Sequence, residues 1–236
     1  MKDIKIVGDR VIKCTSLQEA RNLEYVQNKV SCPKIYDYYT KNSKFYIEME
    51  YIPGKTLCDI WPELSEEQKQ IVTDNILNEL NKLRKETLNE ICGINNTVID
   101  DPLFEQMRFK SEKELNKHIS SMVQTSKRSN RLIYEVLPTD SKICLSHGEL
   151  SYNNIIVREN LAVVFINWHC MGFLPEYWDL MKAFIYNSSN DEVSARLVFQ
   201  DHVDKNAIMT FSYVLDLVML SSSMYSGEVV NELVNS

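Results

Sequence analysis

The N-terminal part of the chain alternates apolar and polar side chains with the two-residue period of β-strands. The runs IKIV and RVIKC flank Gly8 and Asp9, which suit a two-residue hairpin turn of type II′. Farther on, KIYDYYT and KFYIEMEYI flank the turn residues KNSK and combine aromatic with β-branched side chains. We therefore expect these segments to form one small sheet.

One helix interrupts this strand pattern. In SLQEARNLEYVQNKV, Ser16 can cap the helix, and Glu19 completes an S-x-x-E capping box. An apolar residue recurs at every third position, which is typical of one face of a helix, and this stripe consists of Leu17, Ala20, Leu23 and Val26. The N-terminal segments therefore predict a small sheet with one helix.

The turn residues at 52–54 end the strand pattern, and we place a lobe boundary there, between residues 1–52 and 53–236. Helical periodicity dominates the second part. The predicted helices are TLCDIW, a long helix that the capping box SEEQ opens, a helix from Ser111, RSNRLIYEVL, about Pro175 to Tyr186, and further helices within 191–224. In the long helix, Val72, Ile76, Leu80 and Leu83 form one face. ICGINNTVIDDPLF reads as a loop, and 142–168 as strand–loop–strand–turn–strand.

The composition narrows the class of protein. The chain has 236 residues, 44% hydrophobic and 25% charged, which is ordinary for a globular protein. Its net charge of −7 argues against nucleic acid as the main partner, since phosphate binding needs basic surface, and it suits a cationic ligand. The acidic loop VIDDPLFE either attracts such a cation or is simply solvated.

The six cysteines form no C-x-x-C pair, and we interpret them as reduced thiols of a cytosolic protein, several of them buried. The N-terminus lacks the apolar core of a signal peptide, and no run approaches the length of a membrane span. We therefore expect a cytoplasmic protein without a membrane partner.

The segment ICLSHGELSYNNIIV carries the candidate chemistry. It places His147, Glu149 and Asn154 in one loop between two apolar runs, and Asn167 follows the next apolar run. A kinase catalytic loop has the form H-x-D-x-x-x-x-N, with a base Asp and a metal-binding Asn five residues later. The spacing from 149 to 154 matches that form, although the acid here is Glu.

The sequence resembles the aminoglycoside/choline phosphotransferase family, especially its short fungal-type members, over about residues 4–186. HGELSYNNIIV, FINWH and GFLPEYWDL correspond to the family motifs HGDL-x-x-x-N-I-L-V, I-I-D-W-E and G-x-x-P-E-Y-W. The resemblance implies an α+β, protein-kinase-like fold of two lobes. A small antiparallel sheet with one helix forms the N-terminal lobe, and the C-terminal lobe is mostly helical, with its catalytic-type loop within 145–170.

The resemblance also implies a nucleotide site. Lys13 in VIK corresponds to the lysine that holds the ATP phosphates, and Glu19 to the carboxylate that orients it. The alternatives are an exposed strand lysine and a capping-box acid. Met49, Glu50 and Ile52 resemble the hinge that reads adenine through the carbonyl of Glu50 and the amide of Ile52, or form an ordinary strand end.

In the same resemblance, Glu149 is the catalytic base, His147 supports the catalytic loop, and Asn154 and Asn167 are the metal ligands. Asn153 is the neighbouring alternative to Asn154. Two departures weaken Mg²⁺ binding. Glu replaces the base Asp, and the family's second metal-binding Asp is Asn167, whose amide brings no charge to a hard cation.

A Gly-rich loop over the phosphates is not visible, since the hairpin before Lys13 contains only Gly8. Trp168, Tyr177 and Trp178 are interpreted as core residues, and Asp179 as a brace for the catalytic loop.

Three hypotheses follow. The chain is an ATP-dependent phosphotransferase, of full or weak activity, that acts on a small hydroxyl-bearing or cationic molecule. Alternatively, it is a degenerate pseudokinase that binds nucleotide or a protein partner. In the third, it is a structural protein that keeps only the fold and fills the cleft with its own side chains.

Overall fold

The computed structural model describes residues 4–123, 127–185, 196–197 and 204–221. Its N-terminal part is a four-stranded antiparallel sheet in the order β1-β2-β4-β3. The strands are β1 (Ile4–Val7), β2 (Arg10–Thr15), β3 (Ile35–Lys41) and β4 (Lys44–Glu50). The predicted two-residue hairpin joins β1 and β2, and Gly8 has φ +62° there, a value that glycine adopts without strain.

Helix α1 (Leu17–Val26) packs beside this sheet with Ala20, Leu23 and Val26 buried. Leu17, the first residue of the helix and of the predicted apolar stripe, is exposed. The Ser16 side chain caps the helix by accepting a hydrogen bond from the amide of Glu19.

The second part of the chain is mostly helical. Its helices are α2 (Leu57–Ile60), α3 (Glu66–Leu83), α4 (Glu112–Met122), α5 (Lys127–Val136), α6 (Trp178–Ile185) and α7 (Lys205–Ser221). Both hydrogen bonds of the predicted capping box between Ser65 and Gln68 are present at the start of α3. The predicted apolar face of α3 is buried, which confirms the helical periodicity.

Two small sheets contain the strands around the catalytic-type loop within 145–170. One has the order β5-β7-β8, with β5 (Lys55–Thr56), β7 (Ile155–Val157) and β8 (Val163–Phe165), and the other pairs β6 (Ile143–Ser146) with β9 (Gly172–Pro175). The prediction that a helix begins near Pro175 was wrong. Pro175 ends β9 opposite Ile143, and α6 begins at Trp178.

The core is continuous through the helical part. Trp168, Tyr177 and Trp178 are buried in it, as predicted. The segment 91–104 contains two short 3-10 turns, Ile94–Asn96 and Pro102–Phe104, and otherwise lacks regular structure. The interpretation of its acids as solvated was wrong for Asp101, which is buried and forms an ion pair with Lys182 at 2.8 Å.

The predicted α+β architecture, a small antiparallel sheet with one helix followed by a helical region, is therefore confirmed. All six cysteines are free thiols, and three of them are buried. No helix among the described residues combines the length and apolar character needed to cross a membrane. Of the helices predicted within 191–224, α7 is observed, and much of the remainder lies outside the described residues. The lobe boundary at 52–53 stays a prediction.

Candidate functional site

Asp179, in the first turn of α6, holds the loop between β6 and β7 in place. Its Oδ2 accepts a hydrogen bond of 3.0 Å from the amide of His147, and its Oδ1 accepts one of 2.8 Å from the amide of Gly148. Asp179 is itself buried. Because its carboxylate accepts hydrogen bonds from two buried backbone amides, Asp179 fixes the backbone from which Glu149 projects.

His147 is buried and supports the loop. Its Nε2 donates a hydrogen bond of 2.9 Å to the carbonyl of Ile166, and its Nδ1 accepts one of 3.3 Å from the amide of Glu149. The ring centroid lies 4.6 Å from that of Trp168. Burial lowers the pKa of His147, which keeps the ring neutral, as this pair of hydrogen bonds requires.

Asn154 closes the same loop at its other end. Its Nδ2 donates a hydrogen bond of 2.9 Å to the carbonyl oxygen of Glu149, five residues earlier. Asn154 is buried, whereas Asn153 is exposed. The five-residue spacing seen in the sequence therefore corresponds to one closed loop.

The side chain of Asn167 lies between a cation and a carboxylate. Its Oδ1 accepts a hydrogen bond of 2.8 Å from Nζ of Lys13, and its Nδ2 donates one of 2.9 Å to Oε2 of Glu149. The backbone of Asn167 has φ +68°, in the left-handed region where Asn and Asp are the commonest non-glycine residues. Both ends of the amide are thus engaged by protein groups.

Lys13 and Glu19 form a buried ion pair with a distance of 2.5 Å between Nζ and Oε1. The hydroxyl of Thr15 donates a hydrogen bond to the other carboxylate oxygen. Burial raises the pKa of Glu19, but the charge of Lys13 and the hydrogen bonds from Lys13 and Thr15 outweigh it, so that the pKa is lowered overall. Lys13 is therefore not an exposed strand lysine, and the Glu19 side chain turns to Lys13 rather than completing the capping box.

An open cavity of about 400 Å³ lies between the N-terminal sheet and the loop that carries these asparagines. Its lining includes Lys13, Met49, Glu50, Ile52, Asn154 and Asn167. The cleft is therefore not filled by the protein's own side chains, in contrast to the expectation of the purely structural hypothesis.

The predicted hinge forms one wall of this cavity. The amide of Glu50 donates to the carbonyl of Lys34, and that of Tyr51 to the carbonyl of Asp9. Within the described part of the chain, no hydrogen bond engages the amide of Ile52. That amide is therefore available to a ligand, as the hinge interpretation requires.

The roof of the cavity comes from strand β1. Ile4 and Ile6 line it, although both side chains are largely exposed to solvent. The first hairpin thus covers the cavity with apolar side chains, and Gly8 at its tip is not among the lining residues. This arrangement agrees with the absence of a Gly-rich cradle from the sequence.

The sequence reasoning missed His169. Its Nε2 lies 3.6 Å from Oε2 of Glu149, the same oxygen that accepts the hydrogen bond from the Asn167 amide. The signal was present in FINWH, where His169 stands at the position of the final Glu in the motif I-I-D-W-E.

The likeness of this chain to known proteins is found in their structures and not in their sequences. No family model matches the sequence, and no curated protein matches it. The solved structure of aminoglycoside phosphotransferase APH(4)-Ia superposes with a TM-score of 0.66 at 13% identity, over 93% of this chain and 81% of that one. ADP-bound aminoglycoside phosphotransferase APH(2'')-Ib gives 0.63 at 16% identity, over 97% and 88%.

Choline kinase LicA from Streptococcus pneumoniae gives a TM-score of 0.57 at 14% identity, over 92% of this chain and 78% of that one. At such identities the likeness shows the fold. The chain has the kinase-like fold of the aminoglycoside phosphotransferases and choline kinase, which confirms the fold that the sequence motifs implied.

Proposed function

We propose that this chain is an ATP-dependent phosphotransferase of weak activity that acts on a small hydroxyl-bearing molecule. The observation that carries this proposal is the buried ion pair of Lys13 and Glu19 at the edge of an open cavity of about 400 Å³. A lysine held by a carboxylate at the end of a cleft is the group that ATP phosphates require.

Nucleotide binding is supported from both ends of the cavity. At the hinge, the unengaged amide of Ile52 can donate to adenine, while Val11, Ile156 and Ile166 offer apolar walls to the purine ring. At the other end, Lys13 supplies positive charge. Structures of the same fold include an ADP-bound APH(2'')-Ib and a ternary complex of APH(4)-Ia with ADP and hygromycin B.

In the proposed reaction, Glu149 accepts the proton of the acceptor hydroxyl. The acceptor oxygen forms a bond to the γ-phosphorus as the bond from that phosphorus to the bridging oxygen breaks, and ADP leaves. Glu149 is suited to this role because its side chain is 31% exposed. Asn167 donates its hydrogen bond to Oε2 and not to Oε1, so Oε1 is the oxygen that would accept the proton. A partly exposed carboxylate also favours an acceptor that is cationic as well as hydroxylated.

The residues present do not fit a Mg²⁺ site well. Mg²⁺ typically uses one or two carboxylates. Asn154 and Asn167 are neutral, and the Oδ1 of Asn167 is already engaged by Lys13. Glu149 would be the single carboxylate, and the weak activity in the proposal follows from this poor fit.

The same observation favours a second candidate function. With both ends of the Asn167 amide satisfied by Lys13 and Glu149, the site is complete without a metal. Such a chain would be a degenerate relative that binds nucleotide through the hinge and Lys13 and serves as a binding module, with or without a protein partner.

Calorimetric titration of ATP and ADP with and without Mg²⁺, together with an assay of ATP turnover, tests both. The weak enzyme predicts turnover that requires Mg²⁺ and disappears in Glu149→Ala but persists in Glu159→Ala, an exposed control. The binding module predicts ATP binding that is independent of Mg²⁺, without turnover. No binding of either nucleotide would overturn both candidates.

A further inference from the structure

Three side chains of different chemistry meet beside the cavity. The carboxylate of Glu149, the imidazole of His169 and the thiol of Cys170 each bring one donor atom, and these atoms all lie within 4.8 Å of one another. Between Glu149 and His169, the distance from Oε2 to Nε2 is 3.6 Å. The group combines an oxygen, a nitrogen and a sulfur donor, which is unlike a Mg²⁺ site.

The backbone brings these donors together by a close approach. Gly148 has φ +86°, and a Cβ atom there would lie 2.7 Å from the carbonyl carbon of Cys170 and overlap its oxygen. Because Gly148 has no Cβ, the loop before Glu149 can lie directly on the segment that carries Cys170. The close approach therefore places the three donors around one point.

Two further side chains hold this arrangement. The Nδ2 of Asn22, on α1, donates hydrogen bonds to the carbonyls of Trp168 at 2.7 Å and His169 at 3.2 Å. The Oδ1 of Asp179, on α6, accepts a hydrogen bond of 2.8 Å from the amide of Gly148. The donors are thus positioned by buried groups on two different helices, and the cluster is not a chance meeting of mobile surface side chains.

We propose that Glu149, His169 and Cys170 bind a borderline-soft divalent cation, with Zn²⁺ as the type ion and a fourth position open to water. Tetrahedral ligands about 2.0–2.3 Å from zinc lie roughly 3.3–3.8 Å apart. The Glu149–His169 separation already matches, and the remaining distances need a shift on the order of 1 Å.

Binding would release one proton. The Cys170 thiol donates a hydrogen bond to the carbonyl of Asp100 and is buried, and burial raises its pKa. On binding, the sulfur–hydrogen bond breaks, the proton passes to solvent and the sulfur–zinc bond forms, with no change of oxidation state. Affinity should therefore increase with pH.

Metal binding by these three side chains does not require a nucleotide. A cation held by Glu149 withdraws the carboxylate from proton transfer, so zinc would inhibit any phosphoryl transfer at this site.

Titration of the metal-free full chain with Co²⁺ tests the proposal, because a thiolate ligand gives cobalt a sulfur-to-metal charge-transfer band in the near ultraviolet. We expect this band in the unchanged chain, its displacement by Zn²⁺, and its loss in Cys170→Ala. Cys144→Ala, which removes another buried thiol, is the matched control and should keep the band. His169→Gln should weaken Co²⁺ binding at least tenfold.

The proposal is overturned if the folded, unchanged chain gives no thiolate band, or if the band survives in Cys170→Ala. If Cys170→Ala fails to fold, His169→Gln decides, and an unchanged Co²⁺ affinity in that variant overturns the site. ATP titration in metal-free buffer gives an independent result, which separates a failure of this proposal from a failure of the proposed function.

Discussion

The Nδ2 atom of Asn167 donates a hydrogen bond of 2.9 Å to Oε2 of Glu149. An aspartate at position 167 would instead place a second carboxylate against Glu149, and the two would repel unless a cation lay between them. The amide replaces that cation with a hydrogen bond. The site around Glu149 and Asn167 therefore holds its geometry without a metal. We expect substitutions at these two positions to change its affinity for a metal.

The first prediction concerns the double substitution Glu149→Asp with Asn167→Asp. It supplies two carboxylates at the geometry of the family motif, so we expect Mg²⁺ to increase its ATP affinity at least about tenfold, or about 1.4 kcal/mol. For the unchanged chain, which offers Glu149 as the single carboxylate, we expect a smaller increase. Calorimetric titration of ATP with and without Mg²⁺ measures both.

The control makes the same chemical changes away from the cavity. Glu159→Asp with Asn160→Asp lies in the exposed turn between β7 and β8, where an aspartate can still accept the hydrogen bond that Asn160 accepts from Ala162. It should leave the Mg²⁺ dependence unchanged. An equal gain in both double variants, or none in either, would contradict the assignment of the lost metal site to 149 and 167.

The second prediction concerns Lys13→Met. Removing the ammonium leaves the Glu19 carboxylate buried and unpaired, which should lower the free energy of unfolding by about 3 kcal/mol. It should also weaken ATP binding at least about tenfold, since the phosphates lose their nearest cation. Urea unfolding and calorimetry measure the two effects. Lys5→Met, at an exposed position in the neighbouring strand, is the control and should change neither.

A double-mutant cycle separates the ion pair from the volume change. Lys13→Met with Glu19→Met removes both charges, so the loss of stability should be clearly smaller than the sum of the two single losses. Additive losses would show that Lys13 and Glu19 contribute independently and are not coupled in solution.

The third prediction concerns pH. The pKa of Glu19 is lowered overall, because Lys13 and Thr15 outweigh the effect of burial. A carboxyl with a lowered pKa stabilises the fold above its ordinary pKa of 4.5, and that stabilisation is lost as the pH falls through the folded-state value. The stability difference between the unchanged chain and Glu19→Gln should therefore be full at neutral pH and shrink below pH 4.5.

Urea unfolding at a series of pH values, with each variant compared with the unchanged chain at the same pH, measures this dependence. Glu24→Gln, on the exposed face of the same helix, corrects for the general effect of removing an acid from α1. A difference for Glu19→Gln that stays constant from neutral pH down to well below 4.5 would refute the inferred ionisation of the buried pair.

Local chemistry was enough to predict much of the fold. The turn at Gly8 and the capping box at Ser65 need contacts over a few residues, and both occur where the sequence placed them. Strand β9 was missed because GFLP is short, wholly buried and without alternation. Its partner β6 lies far earlier in the chain, and such pairing leaves no local signal.

The candidate site was predictable as a set of positions but not as a set of contacts. The spacing from Glu149 to Asn154 identified the loop but did not predict the hydrogen bond that closes it. The hydrogen bond from Lys13 to Asn167 spans 154 residues, so only the fold brings the two together. The positions of His169 and Cys170 next to Glu149 depend on how closely Gly148 approaches the backbone of Cys170. The spacing of residues in the sequence does not reveal this approach.

The last prediction compares two glycines with positive φ. Gly148→Ala puts a Cβ atom onto the carbonyl group of Cys170, whereas Gly8→Ala meets nothing within 4 Å. Both carry the cost of a left-handed alanine, about 1–2 kcal/mol. The overlap at 148 should raise the loss of unfolding free energy above about 4 kcal/mol or prevent folding, since neither backbone can yield without moving Glu149.

Thermal or urea unfolding of the two variants isolates the close approach, because their backbone strain is of the same kind. The Co²⁺ band should persist in Gly8→Ala, which leaves the loop in place, and should be lost or weakened in any folded fraction of Gly148→Ala. Equal stability of the two variants would mean that residues 148 and 170 do not touch, and the positions of Glu149, His169 and Cys170 would then have to be revised together.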